Sequence, residues 1–174
     1  MEFSQRQLEI IDAAGRILTA SGVSGLTIKN LASEMKFSES AIYRHFTSKE
    51  EIIIALLEYL IQSMDERISN AILIDQKPED KFTPLFQNQF SFFEKNPHYV
   101  VAVFSDGLLE KSKRINETIL KVMDVNKKHI QSIILEAQRK NVFTNVITSD
   151  EILHITIGAF RLQMFKMESC KLSI

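Results

Sequence analysis

The chain has 174 residues, of which 45% are apolar and 25% charged, and a net charge of −1. That is enough apolar chain to bury a core as one or two small domains, and it lacks the basic excess that binds nucleic acid by bulk charge alone. Five glycines and three prolines leave room for long helices, the single cysteine, Cys170, excludes an internal disulfide and fits a reducing cytoplasm, and no apolar run approaches the ~18 residues that cross a bilayer.

Met1 to Ala20 carry acids and a helical period, so they do not read as a signal peptide. Ser4 and Gln7 form a capping box, with Phe3 and Leu8 as a hydrophobic staple, and open a helix that runs to about Ser21. Ile10, Ile11, Ala14, Ile17 and Leu18 are its apolar stripe. Gly22 stands where a left-handed residue ends a helix. Thr27 caps the second helix, whose apolar face is Ile28, Leu31, Ala32 and Met35, and Leu26 staples to Leu31. Lys36-Phe37-Ser38 interrupts it. Ser38 then caps a third helix, Glu39 to His45. There Ile42 and Phe46 face inward, while Glu39, Ser40, Tyr43 and Arg44 face out. A short helix anchored on one face and polar on the other, held across another short helix, is a helix-turn-helix, whose second helix enters a DNA major groove.

Ser48 and Glu51 open a long helix to about Leu73, with Ile53, Leu56, Leu57, Leu60, Met64, Ile68 and Ala71 as its stripe. After a linker from Ile74 to Lys77, Pro78 starts the next helix, with Glu79 and Asp80 in the favourable first turn. Phe82, Phe86, Phe90 and Phe93 line one face of it as far as Lys95. Asn96 is expected to cap a short apolar helix that has Pro97 at its first position and breaks near Asp106-Gly107. A long helix follows, from about Leu108 or Ser112 to Lys140. Thr148 and Glu151 form a last capping box and open a helix to about Ser169.

The stretch Ala41-Ile42-Tyr43-Arg44-His45-Phe46-Thr47-Ser48-Lys49-Glu50 resembles the end of the DNA-binding domain of TetR-family repressors. That family shows a tyrosine, a variable residue, a histidine, an aromatic, two more residues, a lysine and an acid. Gly22, Leu26, Thr27, Leu31 and Ala32 also fall where the family places them, so the resemblance covers about residues 8–57. It implies that Glu39, Ser40, Ala41 and Arg44 address bases, with Arg44 gripping guanine bidentately and Glu39 accepting from a cytosine amine. It implies that Tyr43, Lys49 and the groups near Thr27 hold phosphates, that Lys29 joins them, and that His45 buttresses the helix or touches phosphate. Lys36 occupies the turn position where many members have glycine, at a cost on the order of 1 kcal/mol if the backbone there is left-handed. Residues 1–50 balance Arg6, Arg16, Lys29, Lys36, Arg44 and Lys49 against six acids. DNA affinity must therefore come from the placement of a few cations, doubled in a dimer.

Two polar residues intrude on apolar stripes. Gln89 falls among the phenylalanines, and Asn126 interrupts Ile115, Ile119, Met123, Ile130, Ile133, Ile134 and Ala137 on the long helix. A buried amide without partners costs on the order of 1–3 kcal/mol. If these helices face one another, Gln89 and Asn126 look into one mainly apolar pocket walled by Phe86, Phe90, Phe93 and Met123. Amides satisfied by water or backbone are the alternative. The last helix is apolar around nearly its whole circumference, which asks for cover on all sides. A second copy covers one side, through Leu153, Ile157, Phe160, Arg161 and Met164, with Gly158 allowing close approach. The TetR family uses two C-terminal helices per subunit there, whereas this chain has room for one after Thr148.

His45, His98, His129 and His154 have no metal-ligand spacing, and no glycine-rich phosphate loop, nucleophile elbow or acid pair at an interpretable spacing is present. No catalytic residue, metal or cofactor is expected. The sequence thus predicts an all-α chain. Residues 1–47 form a three-helix DNA-binding head, and residues 48–174 form a fourth, connecting helix and a helical ligand-binding and dimerisation body. The function implied is a cytoplasmic, homodimeric repressor of a palindromic duplex, released by a small hydrophobic effector and with no membrane partner. Two readings from other classes are a helical protein-interaction module and an all-α enzyme working in the body cavity. Salt-dependent binding to a palindromic duplex separates the first from the repressor, and turnover of a bound molecule separates the second.

Overall fold

Hydroxyl side chains start most of the helices, and residues in left-handed conformation stop two of them. The computed structural model of the chain describes residues 3–73, 75–104 and 112–171, with side chains at all of these except 165 and 167–171. Among the described residues there are eight helices and no strand. They are α1 (Gln5–Gly25), α2 (Ile28–Met35), α3 (Glu39–Tyr43), α4 (Lys49–Ala71), α5 (Pro78–Lys95), α6 (Pro97–Phe104), α7 (Lys113–Arg139) and α8 (Ser149–Lys171). The fold is all-α, with its helix-turn-helix at α2 and α3. Ile74 of the linker, the break expected near Asp106-Gly107, the alternative start at Leu108 and the side chains of Phe165, Met167 and Cys170 lie outside the described residues.

The caps follow the local rules. Ser4 Oγ accepts from the Gln7 N–H at 3.3 Å, and Gln7 Oε1 accepts from the Ser4 N–H at 3.0 Å. Thr148 and Glu151 exchange the same pair of bonds at 2.6 and 3.2 Å. At α4 the box is offset by one residue. Ser48 Oγ accepts from the Glu51 N–H at 3.2 Å, but the Glu51 carboxylate reaches back to the Thr47 N–H at 2.8 Å. Gly22, at φ 61°, breaks α1. Asn96 corrects an expectation: its Nδ2 donates to the Phe92 carbonyl at 2.9 Å, so it closes α5 instead of capping α6. A C-terminal carbonyl has no intrahelical donor, and the amide supplies one.

By packing, the chain forms two compact units, Met1–Leu60 with Pro97–Leu120, and Ile61–Asn96 with Lys121–Ile174. This differs from the functional division at residues 47 and 48, because α6 packs with the head. The first unit buries Ile10, Ala14, Leu18, Leu31, Ile42 and Leu56 completely. In it α6 lies on α1. The contact is close: a Cβ on Gly15 would lie 3.0 Å from Cγ and Cδ2 of His98. The His98 ring is itself held by Tyr99, with centroids 4.2 Å apart. Burial pushes the His98 imidazole pKa down, and Asp12 offsets part of that.

In the second unit Lys81 Nζ meets Glu136 Oε2 at 2.7 Å, and Gln89 Nε2 meets Asn126 Oδ1 at 2.8 Å. One partner rises in number as the other falls, so α5 and α7 run antiparallel. Lys140 and Lys81 together hold the Glu136 carboxyl down to about 2. Asp65 on α4 takes His129 Nε2 at 2.7 Å and Lys128 Nζ at 3.1 Å from α7. Arg67 lies over the Phe92 ring at 3.5 Å and donates to Asn88 at 2.9 Å. Pro84 sits inside α5, where it has no N–H to give the carbonyl one turn back, so one helical bond is missing.

The Gly15–His98 contact predicts a change of sign. Alanine favours a helix interior over glycine by about 1 kcal/mol, but overpacking a buried contact costs about 1–3 kcal/mol. Gly15→Ala is expected to lower the urea midpoint of the wild-type chain and to raise it in a His98→Ala background. Equal shifts in both backgrounds would show that the ring does not set the space at Gly15.

Candidate functional site

A helix as short as α3 has no stability of its own, so something else must hold it. Ile42 is 0% exposed and Phe46 5% exposed, and both are packed into the first unit. Burying the Ile42 side chain contributes about 1.5–3 kcal/mol. Ser38 Oγ accepts from the Ala41 N–H at 3.3 Å and lies 2.9 Å from Ser40 Oγ. With one face fixed, the other is set: Glu39, Ser40, Tyr43, Arg44 and His45 are exposed and Ala41 is half-buried. Upstream, Thr27 Oγ1 accepts from the Asn30 N–H at 3.0 Å, and Asn30 Nδ2 donates to the Gly25 carbonyl at 2.8 Å. These bonds fix the start of α2.

The cations of residues 1–50 divide into two groups. Arg16 lies between Asp12 and Glu34, and its pKa is raised, chiefly by the Glu34 bond. Arg6 pairs with Glu9 at 2.6 Å, and its guanidinium stands 4.9 Å from the centre of the Phe37 ring. Lys49 is half-buried, and its Nζ donates to the Val23 carbonyl at 2.8 Å. The break at Gly22 leaves carbonyls at the end of α1 without helical donors, and a lysine ammonium is a good partner for them. Lys29, Lys36 and Arg44 are exposed, and their side chains make no ion pair or hydrogen bond with any described residue. They are the cations directed outward, and both arginine clamps take acids out of their way.

In the second unit the structure brings the two intruding amides together. Gln89 is 0% exposed, and its bond to Asn126 answers one of its polar groups. Its Oε1 is buried with no hydrogen-bond partner among the described residues. Phe93 is buried beside it, while Phe86, Phe90, Met123 and Asn126 are half-buried. The ring cluster has a member the sequence did not assign to it. Phe160 of α8 lies 5.7 Å from Phe86, 5.4 Å from Phe90 and 6.2 Å from Phe93, centre to centre.

That placement turns three residues of the expected dimer face inward. Leu153, Phe160 and Met164 are 2%, 7% and 0% exposed, turned into their own unit. Ile157 is half-buried and Arg161 exposed. The outward stripe of α8 is instead Ile155, Gly158, Ala159 and Leu162. Ile155 and Leu162 are 65% and 59% exposed, and a Cβ on Gly158 would touch nothing within 4 Å.

Comparison with known proteins agrees with the head. The family described as bacterial regulatory proteins, tetR family, matches residues 10–56. The chain is 30% identical over 132 residues to the nucleoid occlusion factor SlmA of Shewanella pealeana, covering 75% of this chain and 66% of that one. It is 29% identical over 135 residues to SlmA of Vibrio vulnificus, covering 76% and 68%. Its fold is similar to that of the fatty acid degradation regulator FadR from Bacillus halodurans, with a TM-score of 0.84 at 17% identity, covering 98% of this chain and 89% of that one. It is also similar to FadR from Bacillus subtilis, solved in complex with stearoyl-CoA, with a TM-score of 0.83 at 16% identity, covering 96% and 89%.

The exposed face of α3 makes two variants behave differently on DNA. Tyr43→Ala is expected to weaken binding to all duplexes alike, since phosphates carry no sequence information. Arg44→Ala should relax the preference at one base pair per half-site by roughly 1–3 kcal/mol. Footprinting on a panel of single-base operator variants reads both. An unchanged preference in Arg44→Ala would remove that residue from base readout.

Proposed function

Because the chain belongs to the TetR family of bacterial regulatory proteins, we propose that it is a homodimeric repressor of a palindromic operator, released by a small hydrophobic effector. DNA binding and transcriptional regulation come with the family. The observation that carries the finer reading is Arg44, exposed and with no partner among the described residues, beside Tyr43 on a helix whose other face is pinned by Ile42 and Phe46. We assign operator binding to residues 1–47, through Thr27, Lys29, Glu39, Ser40, Ala41, Tyr43, Arg44 and His45. Lys49 serves there by tying the start of α4 to the end of α1. Such a protein works where the chromosome is, in the cytoplasm.

Residues 48–174 take the effector and the second subunit. The ring cluster of Phe86, Phe90, Phe93 and Phe160, with Met123 at its side, supplies an apolar wall, and the Gln89–Asn126 pair supplies a polar handle. An effector that binds better to a form with the wrong spacing of recognition helices lowers operator occupancy by mass action. The outward stripe of α8, with Gly158 at its centre, is the surface for the second subunit. A second reading has a specific observation behind it. The identity to the nucleoid occlusion factors extends over 132 residues, well beyond the head. On that reading the chain acts in nucleoid occlusion.

Two experiments test the proposal. Stearoyl-CoA, the ligand of the similar FadR structure, is the first probe of release. Gln89→Leu should keep or slightly raise stability, leave ligand-free operator binding intact and weaken release. Asn126→Leu should lower stability by about 1–3 kcal/mol, because it strands the buried Gln89 Nε2. Release that is equal in wild type and Gln89→Leu would remove the amide pair from the effector site. Ile155→Asp and Leu162→Asp should each give a monomer by sedimentation, and an unaltered dimer in both would exclude this face of α8.

A further inference from the structure

Lys36 ends α2 with φ 56° and ψ 41°, in the left-handed region where glycine is at ease and a residue with a Cβ is strained. The other non-glycine residue with positive φ among those described is Asn141, a type enriched in that region. Lysine has no such local compensation. The backbone around it is nonetheless firmly held. The Lys36 N–H bonds the Ala32 and Ser33 carbonyls, and the Phe37 N–H bonds the Ala32 carbonyl at 2.8 Å. The Phe37 ring in turn lies beneath the Arg6 guanidinium. The conformation is therefore imposed by the neighbours, and a strained residue that persists there points to a use for its side chain.

The distribution of charge says what that use is. Arg6, Arg16 and Lys49 are engaged within the head, whereas the exposed Lys36 ammonium has no partner among the described residues. A recognition helix contacts base edges with its N-terminal residues, so the turn just before it runs along the rim of the groove, where the phosphates are. Here that helix opens with Glu39, whose carboxylate opposes a phosphate at the same end. A cation in the turn offsets it.

We propose that Lys36 is a DNA-backbone contact at the rim of the groove that α3 enters, kept in place of glycine at a cost in stability. The proposal rests on α3 being the recognition helix. Lys36→Gly separates the two consequences, because it relieves the backbone and removes the charge. Its urea midpoint should rise, so weaker binding cannot come from unfolding. Its affinity should fall by a similar factor on preferred and scrambled duplexes, and log affinity against log salt should flatten by about 0.9 for each phosphate given up. Lys36→Asn, which also tolerates the left-handed backbone, should show the same flattening, and Lys36→Arg should keep the wild-type slope. Wild-type affinity and slope in Lys36→Gly would overturn the proposal. Wild-type protein that prefers no duplex over its scrambled form would instead remove α3 as the reader, and with it the premise.

Discussion

The burial of Ile42 and Phe46 is the constraint on which the rest of the head depends. The second helix of the helix-turn-helix, α3, is too short to hold itself, so its orientation is a tertiary property. Two apolar side chains fix one face, and the residues between them are thereby aimed outward. Thr27 and Ser38 fix the starts of α2 and α3 with one side-chain bond each. Lys49 draws the first residue of α4 to the end of α1. Loss of any of these groups would blur the position of Tyr43 and Arg44. Precision at the groove comes from supporting contacts more than from the contacting residues.

A near-neutral chain can still bind a polyanion when its charges are sorted. The acids Asp12, Glu34 and Glu9 are held by Arg16 and Arg6, which leaves Lys29, Lys36 and Arg44 outward. Net charge hides this sorting because it counts a clamped arginine and an open one alike. The second unit uses the opposite principle. Lys81 and Glu136 neutralise one another between α5 and α7, and Gln89 and Asn126 satisfy each other in part. The remaining Gln89 oxygen is buried with no hydrogen-bond partner among the described residues. A hydrogen-bond donor would answer it, and the rings around it favour an apolar body.

Local signals were legible in the sequence. Ser4 with Gln7 and Thr148 with Glu151 act across three residues, a spacing that fixes both bonds. The helix-turn-helix was legible because apolar residues one turn apart give a helix a definite inner face. The meeting of Gln89 and Asn126 was legible because each breaks an otherwise apolar stripe. Other features were not. The last helix is apolar nearly all round, so its sequence has no phase, and Phe160 read as an outer residue although it packs among the phenylalanines of α5. The bond from Lys49 to the Val23 carbonyl was hidden because the two residues are far apart in sequence and no local rule pairs them. The packing of α6 on α1 was hidden because a short, wholly apolar helix does not say which neighbour it covers.

The central claim is that two copies of α3 read one duplex with two-fold symmetry. Selection of bound sequences from a pool of random duplexes, at a fixed salt concentration, tests it most directly. The predicted result is enrichment of an inverted repeat whose half-site centres lie one helical turn, about 34–36 Å, or a multiple of that apart. Enrichment of a motif without two-fold symmetry, or of no motif at all, would contradict it.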